Sequence, residues 1–224
     1  MSYWFRRGSM LINIQDLTKS YYINGRNNIV LNNFDFALDD HEFVAIKGRS
    51  GCGKSTLLRI IGLMDKFDSG CFEFNGENIK NMSDRQLSRI RSREIGFVFQ
   101  NFDLIPEYTI LENLEMPLGY AGIRKKERRR RALEIMKRFE LTDKLKYYPD
   151  QLSGGQQQRI AIARAVINSP KLILADEPTG NLDKENTGLV MNLFKELYDS
   201  GISIIVVTHD ECTASFAERV MFLD

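Results

Sequence analysis

The sequence predicts an α/β fold in which a parallel β-sheet is joined by an antiparallel strand pair and a helical insertion. Short apolar runs alternate with amphipathic stretches, and each run is apolar on both faces of the strand it would form. The runs are FVAIKG at 43–48, IGFVFQ at 95–100, KLILAD at 171–176 and ISIIVVTH at 202–209. Strands of this kind, separated by helices, are typical of parallel sheets covered on both sides.

An antiparallel pair and a first helix complete the predicted sheet region. Segments 11–16 and 33–39 are predicted to pair ahead of the parallel sheet, and the stretch TLLRIIGLM predicts a helix. Residues 1–9 (MSYWFRRGS) are interpreted as an N-terminal extension or a cloning remnant, with an interfacial anchor at 4–7 as the alternative. The folded domain is therefore expected to span 10–224.

The middle of the chain is predicted to be helical. It carries no strand signal comparable to the apolar runs, so a helical subdomain is expected at about 101–167. Within it, RKKERRRRALEIMKRFEL at 124–141 places Leu133, Met136 and Phe139 at helical spacing, which predicts an amphipathic helix. Its basic run is interpreted as a solvated helix face, with a patch for nucleic acid or lipid head groups as the alternative.

Composition excludes several classes of protein. With 31 basic and 30 acidic residues, the net charge of +1 gives no global field that would hold the chain on nucleic acid or an anionic membrane. The three cysteines have neither the pairing of a secreted scaffold nor metal-ligand spacing, which favours a reducing cytosol. No apolar stretch approaches the roughly 18 to 20 residues that span a bilayer. A chain that is soluble by itself is expected.

A phosphate-binding loop is the first motif that points to function. GRSGCGKS at 48–55 fits the pattern GxxxxGK[ST] and lies between a predicted strand and a predicted helix, the context that this loop requires. Its glycines let the backbone N–H groups turn inward around anionic oxygens, and the positive end of the following helix faces the same anion. The predicted nucleotide-binding residues are Gly48, Arg49, Ser50, Gly51, Cys52, Gly53, Lys54, Ser55 and Thr56.

Side chains in and beyond this loop suit ATP hydrolysis with Mg²⁺. Lys54 would reach the β- and γ-phosphates, and the Ser55 hydroxyl would bind Mg²⁺. In KLILADEPTGNLD the apolar run ends in Asp176 and Glu177, at the strand edge where open α/β sheets bind ligands. Asp176 suits the Mg²⁺ shell, whereas Glu177 can orient and polarise the attacking water. ATP and Mg²⁺ are the predicted cofactors.

A second anion-binding turn is predicted in QLSGGQQQRIAIARA at 151–165, where Ser153, Gly154, Gly155 and Gln156 stand at a helix start. One phosphate loop already serves one nucleotide per chain, so the second turn suggests a nucleotide bound by another copy. A head-to-tail dimer with two-fold symmetry would satisfy both turns and give two composite sites. LSGGQ followed by a helix resembles the signature of the ABC ATPase superfamily.

That resemblance assigns roles to further residues. It implies that Gln100 reaches Mg²⁺ and the attacking water and senses a membrane partner. His209 is implied to contact the γ-phosphate and to position the catalytic carboxylate. Asp183 lies in GNLD, which resembles the loop linking the two sites, and Tyr21, or Tyr22 in its place, would stack on adenine. The implied fold is a P-loop NTPase of the ABC type, with a parallel-sheet core, an N-terminal antiparallel β subdomain and a helical insertion subdomain.

The resemblance covers residues 10–224 and is greatest to one subgroup. DEPTGNLD, LSGGQQQR and IGFVFQNFDLIP are similar to segments of ATPase subunits from lipoprotein-release, macrolide-export and antimicrobial-peptide-resistance systems. This implies a second copy and an integral membrane permease as partners, no nucleic acid, and a position at the cytoplasmic face of the membrane. Near Gln100, the segment 102–106 offers Phe102, Leu104 and Pro106, with Ile105, to a partner helix, with internal packing as the alternative. An ATP-switched cell-division or regulatory role without transport is the alternative function.

Overall fold

The computed structural model describes residues 10–23 and 25–223, which form two β-sheets surrounded by helices. The strands are β1 (Met10–Ile23), β2 (Arg26–Asp39), β3 (Phe43–Lys47), β4 (Ser69–Phe74), β5 (Glu77–Asn78), β6 (Ile95–Phe99), β7 (Leu172–Asp176), β8 (Ser203–Val207) and β9 (Arg219–Phe222). The helices are α1 (Lys54–Ile61), α2 (Asp84–Glu94), α3 (Ile110–Tyr120), α4 (Lys125–Arg138), α5 (Gly154–Val166), α6 (Lys184–Asp199) and α7 (Glu211–Ala214). Short 3₁₀ turns lie at Ile79–Asn81, Thr142–Lys144 and Pro149–Gln151.

The larger sheet is parallel and has the strand order β6-β7-β8-β3-β9. The four apolar runs of the sequence form four of its strands, so the predicted fold class is confirmed. The strand β9 was not predicted, because it has only four residues and alternates partly buried with exposed positions, so it forms no apolar run. It occupies the edge of the sheet beside β3.

Burial on both faces explains the continuous apolar runs. In β3, Phe43 and Ala45 join a core cluster shared with α3 to α6, whereas Val44 and Ile46 join a second cluster shared with α1 and the antiparallel sheet. The same alternation divides the residues of β7 and β8 between the two clusters. Each large side chain that is fully buried contributes about 1.5–3 kcal/mol. The helical insertion therefore shares one core with the sheet.

The smaller sheet is antiparallel and has the order β2-β1-β4-β5. The predicted pair is present, with Ile14 opposite Phe36, but both strands are longer than predicted. The first predicted strand ended at Asp16 and the second began at Asn33. These two residues have positive φ angles of 50° and 47°, and the pairing of β1 with β2 shifts register nearby. Such irregularities interrupt the period-two pattern from which a strand is recognised. The strands β4 and β5 were not predicted.

The predicted helical middle of the chain contains α3, α4 and α5. One expectation about α4 was wrong: Leu133 is 41% exposed, while Ala132 is fully buried beside Met136. The predicted stripe is rotated by one residue, because Ala132 and Met136, four positions apart, form the buried face of α4. Phe139 is buried, as expected, but lies just beyond the last turn of the helix.

Two further helices show the limits of the apolar pattern. The predicted helix TLLRIIGLM ends early, because Gly62 caps α1 and Leu63 adopts a left-handed φ of 59°. The helix α2 was not predicted, since none of its residues is fully buried, although Ser83 and Gln86 form a capping box at its start. Among the described residues, no helix is long and apolar enough to cross a bilayer.

Candidate active site

The carboxyl ends of four parallel strands lie side by side at one edge of the sheet. Phe99 of β6 pairs with Asp176 of β7, Asp176 with Val207 of β8, and Val207 with Ile46 of β3. The residues that follow these ends converge on one cavity of about 1040 Å³. The predicted site residues that line it are Tyr21, Gly48, Arg49, Ser50, Gly51, Gly53, Lys54, Ser55, Thr56, Gln100, Asp176, Glu177 and His209.

Backbone geometry explains the three glycines of the phosphate loop. Gly51 and Gly53 adopt φ angles of 83° and 102°, a region that L side chains rarely enter. Gly48 lies so close to the last parallel strand that an added Cβ would be 2.3 Å from the carbonyl oxygen of Leu223. Gly53 also caps α1, so no capping side chain covers the first N–H groups of that helix. The loop therefore presents backbone donors to the cavity.

Lys54 is held against the loop that precedes it. Its Nζ donates hydrogen bonds to the carbonyl oxygens of Gly48, at 2.8 Å, and Arg49, at 2.7 Å. The ammonium group is thus placed at the loop by backbone acceptors, in the cavity that Ser55 also lines. A cation at this position suits an anionic ligand.

Cys52 is placed differently from its neighbours in the loop. Its side chain lies outside the cavity lining and packs against the apolar cluster that includes Leu223. Its backbone N–H donates to the carbonyl oxygen of Arg49 at 3.3 Å. The thiol of Cys52 therefore does not line the cavity, and its contact with a nucleotide stays a prediction.

Glu177 and His209 form a hydrogen-bonded pair in the lining of the cavity. Nδ1 of His209 is 2.7 Å from Oε1 of Glu177, and the Thr208 hydroxyl donates to Oε2 of the same carboxylate at 3.1 Å. Glu177 has a left-handed φ of 46°, which is costly for a residue with a side chain. Its side chain is 17% exposed, so the carboxylate is held by neighbours but still reaches the cavity.

Three side chains in the cavity suit Mg²⁺. Ser55, Gln100 and Asp176 supply a hydroxyl, an amide and a carboxylate. Burial raises the pKa of the Asp176 carboxyl, although a hydrogen bond with Ser55 acts in the opposite direction, so a cation would relieve an unfavourable charge. Mg²⁺ keeps several waters and takes one or two carboxylates together with phosphate oxygens. This donor set fits that requirement.

Tyr21, rather than Tyr22, lines the cavity. Its hydroxyl donates to Oδ2 of Asp65 at 2.6 Å, and Nζ of Lys19 lies 4.6 Å from the centroid of its ring. Lys19 in turn donates a hydrogen bond to Oδ1 of Asp65 at 3.2 Å, so two linked neighbours fix the orientation of the ring. Tyr22 is 79% exposed and lies outside the lining.

The turn at 153–156 and Asp183 lie outside this cavity. Ser153 and Gln156 form a capping box at the start of α5, and Asp183 caps α6 by accepting from the N–H of Asn186 at 2.8 Å. Packing against α6 within the same chain requires a glycine at Gly155, because a Cβ there would be 2.0 Å from Oδ1 of Asn186. The predicted second turn is thus a capped helix start that does not line the cavity of its own phosphate loop.

Several residues of the site were missed by sequence reasoning. Asn28 and Val30 line the cavity from the part of β2 that was not predicted, and Phe99, Asn101 and Asp103 line it from the end of β6 onward. Thr208 could have been found from the motif VVTH, since it immediately precedes His209. The other residues belong to no recognisable motif. They line the cavity only because β2 and the loop after β6 pass over the edge of the sheet.

Comparison with known proteins places these features in a family. A profile described as ABC transporter matches residues 31–180. The uncharacterized ABC transporter ATP-binding protein YknY of Bacillus subtilis is 43% identical over 213 residues, covering 95% of this chain and 93% of that protein. The macrolide export ATP-binding/permease protein MacB of Shigella flexneri is 43% identical over 211 residues, covering 94% of this chain but 33% of MacB.

A solved structure agrees in fold and sequence. The ATP-binding cassette MJ0796, in a dimeric post-hydrolysis state bound to ADP and Pi, matches with a TM-score of 0.88 and 43% identity. The match covers 95% of this chain and 94% of that one.

Proposed function

The chain belongs to the ATP-binding proteins of the ABC transporter family, and from this premise we propose that it hydrolyses ATP as a homodimer that drives a separate membrane permease. The observation that carries the proposal is the convergence on one cavity of the phosphate loop, Asp176 and the Glu177–His209 pair. The transported or extracted substrate is a lipoprotein, a peptide or a drug-like molecule. The subunit works at the cytoplasmic face of the membrane.

Nucleotide binding uses the loop and the first strand. The backbone N–H groups from Gly48 to Thr56 surround the β- and γ-phosphates, Lys54 neutralises them, and Tyr21 stacks on adenine. Ser55 and Asp176, with Gln100, would hold Mg²⁺. When bound, the ion neutralises the charge that develops on the phosphate oxygens.

Hydrolysis depends on the carboxylate of Glu177. It accepts a proton from, and orients, the water that attacks the γ-phosphorus, while ADP leaves on the opposite side. Thr208 and His209 hold its two oxygens, so the carboxylate is oriented before the substrate arrives. His209 is 75% exposed and can therefore also contact the γ-phosphate.

A second copy completes the site. The turn at 153–156 lies outside the cavity of its own chain, so its helix start is available to the γ-phosphate of a nucleotide in the partner. Two-fold symmetry then gives two equivalent composite sites, with Asp183 between them. The dimeric assembly of MJ0796, 43% identical, supports this arrangement.

A groove of about 890 Å³ between α2, β6 and α3 is the proposed docking site of the membrane permease. Its apolar lining includes Phe97, Met116 and Tyr120, and the exposed Arg85 and Arg89 line it as well. The occupant is a short partner helix with an apolar face and acidic residues, because its charge must complement the arginines. None of the residues expected to meet a partner at 102–106 lines this groove. Internal packing, the alternative, holds for Leu104.

Nucleic acid is not a proposed partner. Two arginines of the basic run form ion pairs within α4: Arg130 pairs with Glu127 and Glu134, and Arg131 pairs with Glu127. This pattern is typical of a solvated helix face. A cell-division or regulatory ATPase acting on a membrane partner without transport remains the second candidate, supported by the motif DEPTGNLD.

The test is to measure ATPase rates for the chain alone, with DNA or RNA at low salt, and with a candidate permease in nanodiscs. The permease is expected to stimulate the rate, because it holds two copies near each other and lowers the entropic cost of closing the dimer. Arg89→Glu should abolish the stimulation and leave the rate of the isolated chain unchanged. Stimulation by nucleic acid, with none by the permease, would overturn the proposal.

A further inference from the structure

The side chain of Asn181 meets the loop of Gln100 through three hydrogen bonds. Its Nδ2 donates to the main-chain oxygen of Gln100 at 3.0 Å and to Oδ1 of Asn101 at 3.1 Å. Its Oδ1 accepts from Nε2 of Gln100 at 3.2 Å. The two residues are 81 positions apart in the chain, so this contact exists only in the folded protein.

The order of donors and acceptors fixes the orientation of both amides. A main-chain carbonyl oxygen can only accept, so the end of the Asn181 amide that meets Gln100 O must be the NH₂ group. The other end of Asn181 is then an acceptor, and Gln100 must turn its own NH₂ group toward it. The carbonyl oxygen Oε1 of Gln100 then remains as an acceptor. Gln100 lines the cavity, where a cation could bind this oxygen or a water molecule could donate to it.

We propose that Asn181 is a positioning residue that presents the carbonyl oxygen of Gln100, and not its NH₂ group, to the cation of the bound nucleotide. The inference rests on the proposed function, in which Gln100 contributes to the Mg²⁺ site. Without Asn181, the Gln100 amide can rotate by half a turn, and its NH₂ group would then repel the cation.

The segment before Asn181 is built to allow this contact. An added Cβ at Gly180 would be 2.8 Å from Nε2 of Gln100, so the glycine leaves room for the amide to lie over the backbone. The N–H of Gly180 donates to the carbonyl oxygen of Glu177 at 3.1 Å, which places the turn directly after the catalytic carboxylate. A buried hydrogen bond of 2.8 Å between Thr179 and Thr213 anchors the turn to α7.

The residue type is specified by this geometry. Alanine would provide neither the donor for Gln100 O nor the acceptor for Gln100 Nε2. Aspartate would keep the acceptor but set a carboxylate oxygen against the main-chain carbonyl. An asparagine is the short side chain that offers one donor group and one acceptor at the required separation.

The experiment measures Mn²⁺ affinity of the full chain by electron paramagnetic resonance, with the non-hydrolysable β,γ-imido analogue of ATP bound. Asn181→Ala is expected to weaken Mn²⁺ binding about two- to tenfold, the range for one neutral hydrogen bond. Gly180→Ala should weaken it in the same direction, since its Cβ displaces the Gln100 amide. Affinity for a fluorescent ATP analogue without metal should not change in either variant.

Two controls separate positioning from a general structural effect. In a Gln100→Ala background, Asn181→Ala should cause no further loss, because the residue acts only through Gln100. Asn13→Ala, which removes an amide hydrogen bond to Glu73 in the antiparallel sheet, should leave Mn²⁺ affinity unchanged.

The outcomes distinguish this inference from the proposed function. If Gln100→Ala weakens Mn²⁺ binding and neither Asn181→Ala nor Gly180→Ala does, the inference is wrong while the proposed function stands. A loss that persists in the Gln100→Ala background would equally contradict it. If Gln100→Ala has no effect, the role of Gln100 fails and the inference fails with it. A wild-type chain that binds no nucleotide would overturn the proposed function itself.

Discussion

Two glycine-rich helix starts in this chain look alike in sequence but differ in how their backbone donors are used. At α1 the cap is Gly53, which has no side chain to offer, and the loop opens on a cavity. At α5 the side chains of Ser153 and Gln156 already bond each other's N–H groups, and the turn lies outside that cavity. At a helix start without a capping side chain, the first N–H groups are available to an anion. At a capped start, side chains already bond some of these groups in the absence of an anion.

The two turns are expected to contribute differently to one bound nucleotide. In the proposed function the loop at α1 binds the phosphates, and no capping side chain competes for the first N–H groups of its helix, so the loop should bind ATP within a single chain. In the proposed dimer, the capped turn at α5 would add a smaller, dipolar contribution to a nucleotide already held by the other copy. Binding should therefore precede dimer closure, and changes at the two helix starts should affect different steps.

The largest expected effect comes from Glu177→Gln. The amide keeps the shape of the side chain but accepts no proton, so hydrolysis should fall by about 10²- to 10⁴-fold while ATP binding persists. The trapped nucleotide should then hold the α5 turn of a second copy, and size-exclusion chromatography with ATP and Mg²⁺ should show a dimer. A monomer at saturating ATP would contradict the assignment of the second turn to a partner nucleotide.

Alanine substitutions of the two glycines at α5 test the turn itself. A Cβ at Gly155 would overlap Oδ1 of Asn186 at 2.0 Å, so Gly155→Ala should lower the free energy of unfolding by about 1–3 kcal/mol. A Cβ at Gly154 would have only ordinary contacts, 3.6 Å from Phe102. Gly154→Ala should thus leave thermal stability nearly unchanged but weaken ATP-dependent dimerisation. Equal loss of stability in both variants, measured by calorimetry, would count against the distinction.

The pH dependence of stability tests the partly buried carboxyl of Asp176 near the α1 loop. Because burial raises the pKa of Asp176 above its ordinary value of 3.8, its contribution to stability is fully present below that value and is lost as pH rises through the raised pKa. Asp176→Asn should therefore melt above the nucleotide-free wild type at neutral pH. The difference should shrink as pH is lowered toward 4 and should also shrink when Mg²⁺ and ATP are added. A pH-independent difference in melting temperature would disprove this account.

The smallest expected effect concerns the thiol in the α1 loop. Cys52 packs near Gly48, where an added Cβ would be 2.7 Å from its Sγ, whereas Cys212 is exposed. A maleimide should label Cys212 first and Cys52 more slowly, after local opening of the loop. ATP should slow the labelling of Cys52 further by stabilising the closed loop, with Cys212 as the internal control. Mass spectrometry gives both rates, and faster labelling of Cys52 than of Cys212 would show that the thiol faces solvent.

Sequence alone determined the parts of this protein that are encoded locally. A phosphate loop needs glycines at fixed spacing and a lysine and serine after them, so GRSGCGKS specifies its own backbone path. Strands buried on both faces must be apolar throughout, which made β3, β6, β7 and β8 visible as runs. Because open α/β sheets bind ligands where their strands end, Asp176 and Glu177 were placed at a ligand site from sequence, and both line the cavity.

Only the tertiary structure decided what depends on register and on contacts between distant segments. The bulges near Asp16 and Asn33 hid the length of β1 and β2, and with it the approach of Val30 to the cavity. The hydrogen bonds between Asn181 and Gln100 join segments 81 positions apart, so neither residue carries a local sign of the contact. Local backbone conformation depends on neighbouring residues. The distance between side chains that are far apart in sequence is set only when the sheets and helices have packed.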